Sequence, residues 1–203
     1  MFEFLGCQID VPPLQMSAIV RTESSAHPFA IGVVGHYLSR QPTSQVEANN
    51  VIAQLIDGKY NFSVGITQVN QANFKTYGLH QGNMFDVCTN LSVGSKILKA
   101  CHEQYQDWQK AYSCYYSGNP TTGFAHGYVR KVLANKSKPL LTSLNPTPAS
   151  ASSTPIVLIP HKQVAKQTAS ARAVPPVQPP SLLQRRLNAN LSSFTHPNQE
   201  VSL

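Results

Sequence analysis

The chain has 203 residues, 15 of them proline, and a net charge of +7, a length that accommodates one ordinary domain with an extension or two very small domains. Composition divides it after Ala134: residues 1–134 hold 16 of the 17 aromatic residues, all 11 glycines and 8 of the 9 acids, whereas residues 135–203 hold 10 of the 15 prolines and 7 Lys/Arg against one acid. The first part is nearly neutral and large enough for one core, the second reads as a disordered basic Pro/Ser-rich tail, and neither nucleic-acid binding nor an integral membrane protein is expected, since no zinc-finger or RNA-binding pattern and no run of roughly 18 apolar residues occurs.

Met1 to Cys7 carries Glu3, no Lys or Arg, and too short an apolar stretch for a complete signal peptide. Pro12-Pro13 followed by Leu14, Ala18, Ile19 and Val20 predicts a helix running to about Ser25 and stopped by Pro28. His27 to Leu38, with Gly32 and Gly35, reads as a loop or short hairpin. Thr43-Ser44 is a plausible N-cap for a helix repeating Val46, Ala48, Val51, Ile52, Leu55 and Ile56 and ending at Asp57-Gly58. Tyr60 to Ile66 has strand character, and Val69 to Tyr77 reads as a helix ending at Gly78. Asn90 is the expected cap of a helix with Leu91, Gly94, Leu98, Cys101 and Tyr105 on one face. Trp108 to Tyr116 and Gly123 to Leu133 complete a mainly α domain with a small irregular β element. In the tail, Pro146-Thr147-Pro148, Pro175-Pro176 and Pro179-Pro180 favour extended segments, and Leu182 to Leu191, around Arg185-Arg186, could form a short helix.

The four cysteines, Cys7, Cys88, Cys101 and Cys114, are too widely spaced for a C-x-x-C metal or redox motif, so disulfides in an oxidising compartment are the main alternative to buried thiols. Cys7 and Cys88 fall in loop-like contexts and are the expected pair among three full connectivities. Cys101 and Cys114 fall inside helical patterns. His27, His36, His80, His102 and His126 show no metal-ligand spacing, and neither metal nor cofactor is expected.

Three segments carry polar residues where a core pattern calls for apolar ones, or cluster Gly and Asn beside aromatics. They are Arg21-Thr22-Glu23-Ser24-Ser25 leading to Pro28-Phe29-Ala30-Ile31-Gly32, then Gly65-Ile66-Thr67-Gln68-Val69-Asn70, then Tyr112-Ser113-Cys114-Tyr115-Tyr116-Ser117-Gly118-Asn119. In this order they resemble the goose-lysozyme-like lytic transglycosylases (SLT family). In that family a Glu-Ser pair ends the first core helix, a Gly-x-x-Gln-x-Asn segment follows, and a third motif resembles Ala-Tyr-Asn-x-Gly. Ala18 to Ser24, Ala30 to Gly35, Asn61 to Gly65 and Gly123-Phe124 through Gly127-Tyr128-Val129 are similar to the subgroup that serves type IV secretion and conjugation machines. Two positions depart from the pattern: Thr67 replaces Met or Gly, and Tyr116 replaces the Asn of the third motif.

The resemblance implies a lysozyme-like fold for residues 1–134, a periplasmic or cell-envelope location, and peptidoglycan glycan strands as substrate, with the tail available to recruit secretion-system components. It implies Glu23 as the catalytic acid, Gln68, Asn70 and Tyr115 as groups holding sugar and acid in register, Ser24 as support for the Glu23 loop, and Tyr128 as a wall of the site. Tyr115 and Tyr128 could equally be core aromatics with satisfied hydroxyls, and Gln68 and Asn70 could cap the following helix.

Cleavage of the β-1,4 bond between N-acetylmuramic acid and N-acetylglucosamine needs a carboxyl still protonated near neutral pH, which burial of Glu23 would favour. Most glycosidases add a second carboxylate, but none lies in the matched motifs; Glu47, Asp57 and Asp86 read as helix-surface or turn residues. A substrate-assisted route, in which the 2-acetamido group stabilises the reacting carbon and Glu23 then takes the 6-hydroxyl proton, suits a single carboxyl and yields a 1,6-anhydromuramyl end. The rivals are a goose-type muramidase positioning water with Asp57 or Glu47, and a non-catalytic wall-binding assembly factor.

Overall fold

The computed structural model describes residues 1–141 and 154–161; the expectations for residues 146–148 and 175–191 lie outside them. The chain opens with a hairpin of β1 (Phe2–Phe4) and β2 (Cys7–Ile9). Its two-residue turn, Leu5-Gly6, has φ of 55° and 76°, the backbone hand that matches the twist of adjoining antiparallel strands. Phe4, Cys7 and Ile9 are buried beneath it.

Helix α1 (Pro13–Glu23) takes Pro13 at its start, where the missing N–H costs nothing, and buries Met16, Ala18, Ile19 and Val20. It ends two residues earlier than the sequence pattern suggests, because Ser25 and Ala26 adopt φ of 55° and 68°. Helix α2 (Gln45–Asp57) is capped by Ser44, whose Oγ accepts from the Glu47 N–H at 3.2 Å. Ala48, Val51, Ile52 and Leu55 are buried at helical spacing, while Val46 and Ile56, from the same repeat, are exposed.

Helix α4 (Val87–Tyr105) corrects the expected cap: Asp86, not Asn90, caps it, its Oδ1 accepting from the Thr89 N–H at 2.8 Å. Helix α3 (Phe74–Tyr77) is also shorter than expected. Val69–Asn70 instead forms β6, and a 3-10 turn, Gln71–Asn73, joins the two. Helix α5 (Trp108–Ser117) stops at Gly118, at φ 73°. The single helix expected from Gly123 to Leu133 is broken at His126-Gly127 into α6 (Thr122–Ala125) and α7 (Tyr128–Lys136).

Strands β3 (Ile31–Val33), β4 (His36–Leu38), β5 (Phe62–Val64), β6 and β7 (Leu158–Pro160) form one antiparallel sheet ordered β6-β5-β3-β4-β7. Strand β7 comes from the Pro-rich stretch after Ala134. Helix α7 continues past Ala134 to Lys136, and the Leu141 N–H donates to Ser17 Oγ at 3.3 Å. Among the described residues no helix is long and apolar enough to cross a membrane.

Apolar burial forms two clusters. One unites α1, α4, α5, α7 and the β1–β2 hairpin around Ile19, Leu91, Leu98, Tyr112 and Val132. The other packs the sheet on α2 through Ile31, Ile52, Leu55, Phe62 and Val64. The chain between β5 and β6 crosses the seam, with Ile66 in the helical cluster and Val64 and Val69 in the sheet cluster.

Cys7 is joined to Cys88 and Cys101 to Cys114, with sequence separations of 81 and 13. Neither Cys7 nor Cys88 lies in a loop: they sit in β2 and in the first turn of α4, so the bond ties the hairpin to the helical cluster. In the chain-entropy account the longer loop restricts the unfolded chain more, a difference of about 1.6 kcal/mol. Replacing Cys7 and Cys88 by Ser is therefore expected to lower urea-derived stability by about that much more than replacing Cys101 and Cys114; equal losses would refute the ordering.

Candidate active site

The seam gathers the sequence-flagged residues from three directions. Glu23 is the last residue of α1 and is half-buried. The Tyr128 hydroxyl donates to its Oε1 at 2.5 Å across a separation of 105 residues. Tyr128 is itself buried, with its ring stacked on Tyr116 at a centroid distance of 4.5 Å. The break at Gly127, in the left-handed region at φ 72°, starts α7 afresh at this tyrosine. Tyr116, at the position where the family motif has Asn, thus backs the ring that holds Glu23, and its hydroxyl lies 3.2 Å from His126 Nδ1.

Ser24 follows Glu23 and donates from Oγ to the Ile66 carbonyl at 2.7 Å, tying the end of α1 to the β5–β6 connection. Gln68 sits in that connection at φ 52°, a conformation that costs a non-glycine residue of order 1 kcal/mol. Its Nε2 donates to the Ala30 and Gly65 carbonyls at 2.9 and 3.0 Å. With Ser25 and Ala26, it makes three of the six positive-φ non-glycine residues among the described residues flank this seam, the kind of clustering that functional sites show.

Two of the flagged residues do not reach an open surface. Tyr115 is fully buried and its hydroxyl donates to the Thr67 carbonyl at 2.7 Å, so it braces the Gln68 turn from within. Asn70 is fully buried too: its Nδ2 lies within 2.9–3.3 Å of Asn61 Oδ1, the Phe62 carbonyl and Ser63 Oγ, and its Oδ1 accepts from the Ala72 N–H at 3.0 Å. Asn70 therefore caps the turn after β6 and closes the β5–β6 pair.

The residue that organises the seam is Asn90, which the sequence reading assigned to a helix cap. Its Oδ1 accepts from the Thr67 N–H at 2.9 Å and lies 2.7 Å from Thr67 Oγ1, while its Nδ2 donates to the Val64 and Met84 carbonyls at 3.1 and 3.0 Å. All four hydrogen-bonding positions of the amide are used in a fully buried setting. Gly65 is required beside it, having φ 77° and leaving only 2.3 Å between a built Cβ and Asn90 Nδ2. Thr67, the other departure from the family pattern, faces Asn90 and packs against Gly94, not into the site. The signal was present as three polar or glycine residues, Gly65, Thr67 and Asn90, at positions that proved wholly buried.

The other carboxylates of this region have assignments elsewhere. Glu47 accepts from both terminal nitrogens of Arg40, at 2.6 and 3.0 Å, and from Thr43, which hold its carboxyl down at about 2. Asp86 and Asp107 cap α4 and α5, and Asp57 ends α2 in solvent. His27, near Glu23 in the chain, is pushed below the usual histidine range by burial. Among the described residues no three His, Cys, Asp or Glu side chains gather as a metal-binding group.

The family model described as Transglycosylase SLT domain matches residues 1–137. The type IV secretion system protein virB1 of Brucella abortus (strain 2308) is 38% identical over 183 residues, covering 83% of this chain and 71% of the relative. The Brucella suis biovar 1 (strain 1330) protein of the same name matches with the same identity and coverage. Protein virB1 of Agrobacterium fabrum is 32% identical over 135 residues, 62% of this chain and 54% of the relative. No solved structure matches the chain. The Glu23–Ser24 helix end, the Gly65–Gln68 turn and the Tyr115 brace all lie inside the matched span, and the chain belongs to the transglycosylase SLT domain family.

Proposed function

We propose that this protein is a peptidoglycan lytic transglycosylase that opens the cell wall locally, on its periplasmic side, for a type IV secretion or conjugation apparatus. The observation that carries this reading is the Glu23 carboxyl, held by Tyr128 at 2.5 Å at the end of α1 beside the Gln68 turn, with Asp86 bound into a helix cap, Glu47 into an ion pair and Asp57 exposed at the end of α2. Glu23 would protonate the glycosidic oxygen as the bond breaks, and the Tyr128 hydroxyl fixes the rotation of the carboxyl during transfer. The muramic acid 2-acetamido group would stabilise the developing positive charge. Glu23, now ionised, would remove the proton of the 6-hydroxyl as that oxygen closes on the anomeric carbon. Protons balance, the carboxyl is regenerated, and a 1,6-anhydromuramyl end results.

A hydrolytic route needs a base to activate water, and Glu47 is poorly suited to it: a carboxylate held at about 2 by Arg40 and Thr43 is a weak base already committed to its donors. Mass spectrometry of muropeptides released from purified peptidoglycan tests the reading. Anhydro ends are expected; reducing muramic acid ends would make the protein a muramidase, and no release by folded protein would favour a binding factor.

Gly32 gives a second test. A Cβ there would lie 2.7 Å from Gln68 Oε1, the far end of a flexible side chain. Gly32→Ala is expected to cost less than about 1 kcal/mol in stability while swinging Gln68 off the Ala30 and Gly65 carbonyls and reducing muropeptide release several-fold. Unchanged release in the folded variant would remove Gln68 from the site.

A further inference from the structure

The sheet carries a strand from beyond the matched domain, which ends at residue 137. Strand β7 lies antiparallel on β4, with His36 opposite Pro160, Tyr37 opposite Ile159 and Leu38 opposite Leu158. Main-chain bonds extend the pairing at both ends: the Ser39 N–H donates to the Val157 carbonyl at 2.8 Å, and the His161 N–H donates to the Gly35 carbonyl at 2.9 Å. Ile156 and Leu158 form one side of a groove whose other walls include Leu38, Val51, Leu55 and Tyr60. Arg40 clamps the start of the segment, donating to the Thr154 carbonyl from Nε and Nη2 at 3.0 and 2.8 Å while also bound to Glu47. A sheet edge, a pocket for alternate side chains and a clamp on the peptide backbone are the parts used when an extended peptide is recognised by strand addition.

The seat stays open to solvent on one side. A partly open pocket of about 210 Å³ lies among Leu38, Val51, Leu55, Tyr60, Ile156 and Leu158, and Ile156 and Leu158 are only partly buried, so local opening of a three-residue strand costs little apolar burial. Pro160 offers no N–H to a further strand, which keeps β7 from seeding sheet extension. Twelve residues separate Leu141 from Thr154, a tether whose contour length reaches roughly 40 Å.

We propose that the β4 edge, the adjoining groove and Arg40 form a peptide-acceptor site for the segment Thr154–His161, and that this segment is exchangeable, so that one copy of the chain takes up the strand of another. The test uses full-length protein in which Ile156→Asp and Leu158→Asp disable the resident strand, titrated with a fluorescent synthetic peptide of residues 154–161. Saturable binding is expected, at least ten-fold tighter than to wild type, whose own strand competes, and at least ten-fold weaker once Arg40→Ala is added. Absence of saturable binding to a variant with wild-type circular dichroism, or equal binding to all three proteins, would overturn the proposal. Should the variant misfold, the same peptide bearing a photoreactive group at the Ile159 position decides the matter on wild type. Labelling of the fragment containing Tyr37 supports exchange, and labelling elsewhere or none refutes it.

Discussion

Glu23→Gln is expected to reduce muropeptide release by roughly 10²–10⁴-fold, the range over which a positioned general acid–base group contributes, while leaving the thermal unfolding midpoint within a few degrees of wild type. The substitution keeps the shape of the side chain, and the amide oxygen can still accept the Tyr128 hydroxyl hydrogen bond that the carboxylate accepts at 2.5 Å. It removes the ability to release a proton to the glycosidic oxygen and to take one from the 6-hydroxyl. Because the proposed cycle uses one carboxyl twice, loss of that group leaves no partner to share the work, unlike a two-carboxylate glycosidase. Muropeptide mass spectrometry paired with differential scanning calorimetry separates loss of chemistry from loss of fold. Undiminished release by the folded variant would exclude Glu23 from the mechanism. Release restored as reducing ends would point to a water route through another group.

The parts of this site that could be read from the sequence are those whose role is expressed locally. Glu23-Ser24 at the end of an apolar helical repeat, and Gly65 three residues before Gln68, are short-range patterns, and both lie at the seam between the two apolar clusters. Helix α2 was legible for the same reason, since Ala48, Val51, Ile52 and Leu55 fall on one face. What escaped depends on partners distant in the chain. Asn90 is as good a cap residue as any, and only contact with a segment 23 residues away turns it inward while Asp86 takes the cap. Asn70 carries the family motif, yet the β5–β6 pairing consumes its amide. Strand β7 is a short apolar run, Ile156 to Ile159, inside a proline-rich stretch, and averaging composition over 69 residues hid it. The split at Gly127 shows the converse case, in which a helical pattern continued across a residue whose positive φ interrupts it.

Asn90→Ala is expected to destabilise the protein by about 3–5 kcal/mol and to abolish muropeptide release at the same time. The alanine leaves the Thr67 N–H and the Val64 and Met84 carbonyls without their buried partner, at about 1–3 kcal/mol for each unsatisfied group after partial relaxation. A fall of roughly 10–15 °C in the unfolding midpoint follows for a domain of this size. The effect on release arises from the same bonds: without Asn90, the Gly65–Thr67 backbone loses its anchor to α4, and with it the carbonyls that receive Ser24, Tyr115 and the Gln68 amide. Hydrogen exchange should register this as loss of protection at Thr67 before the helical cluster opens. Asn90→Asp distinguishes the two halves of the amide, since it preserves the acceptor toward Thr67 but removes both donors and buries a charge; it should be no more stable than the alanine variant. A stability loss under about 1 kcal/mol for Asn90→Ala, with release intact, would mean that the turn carrying Gln68 is held by its own backbone geometry and not by the helix behind it.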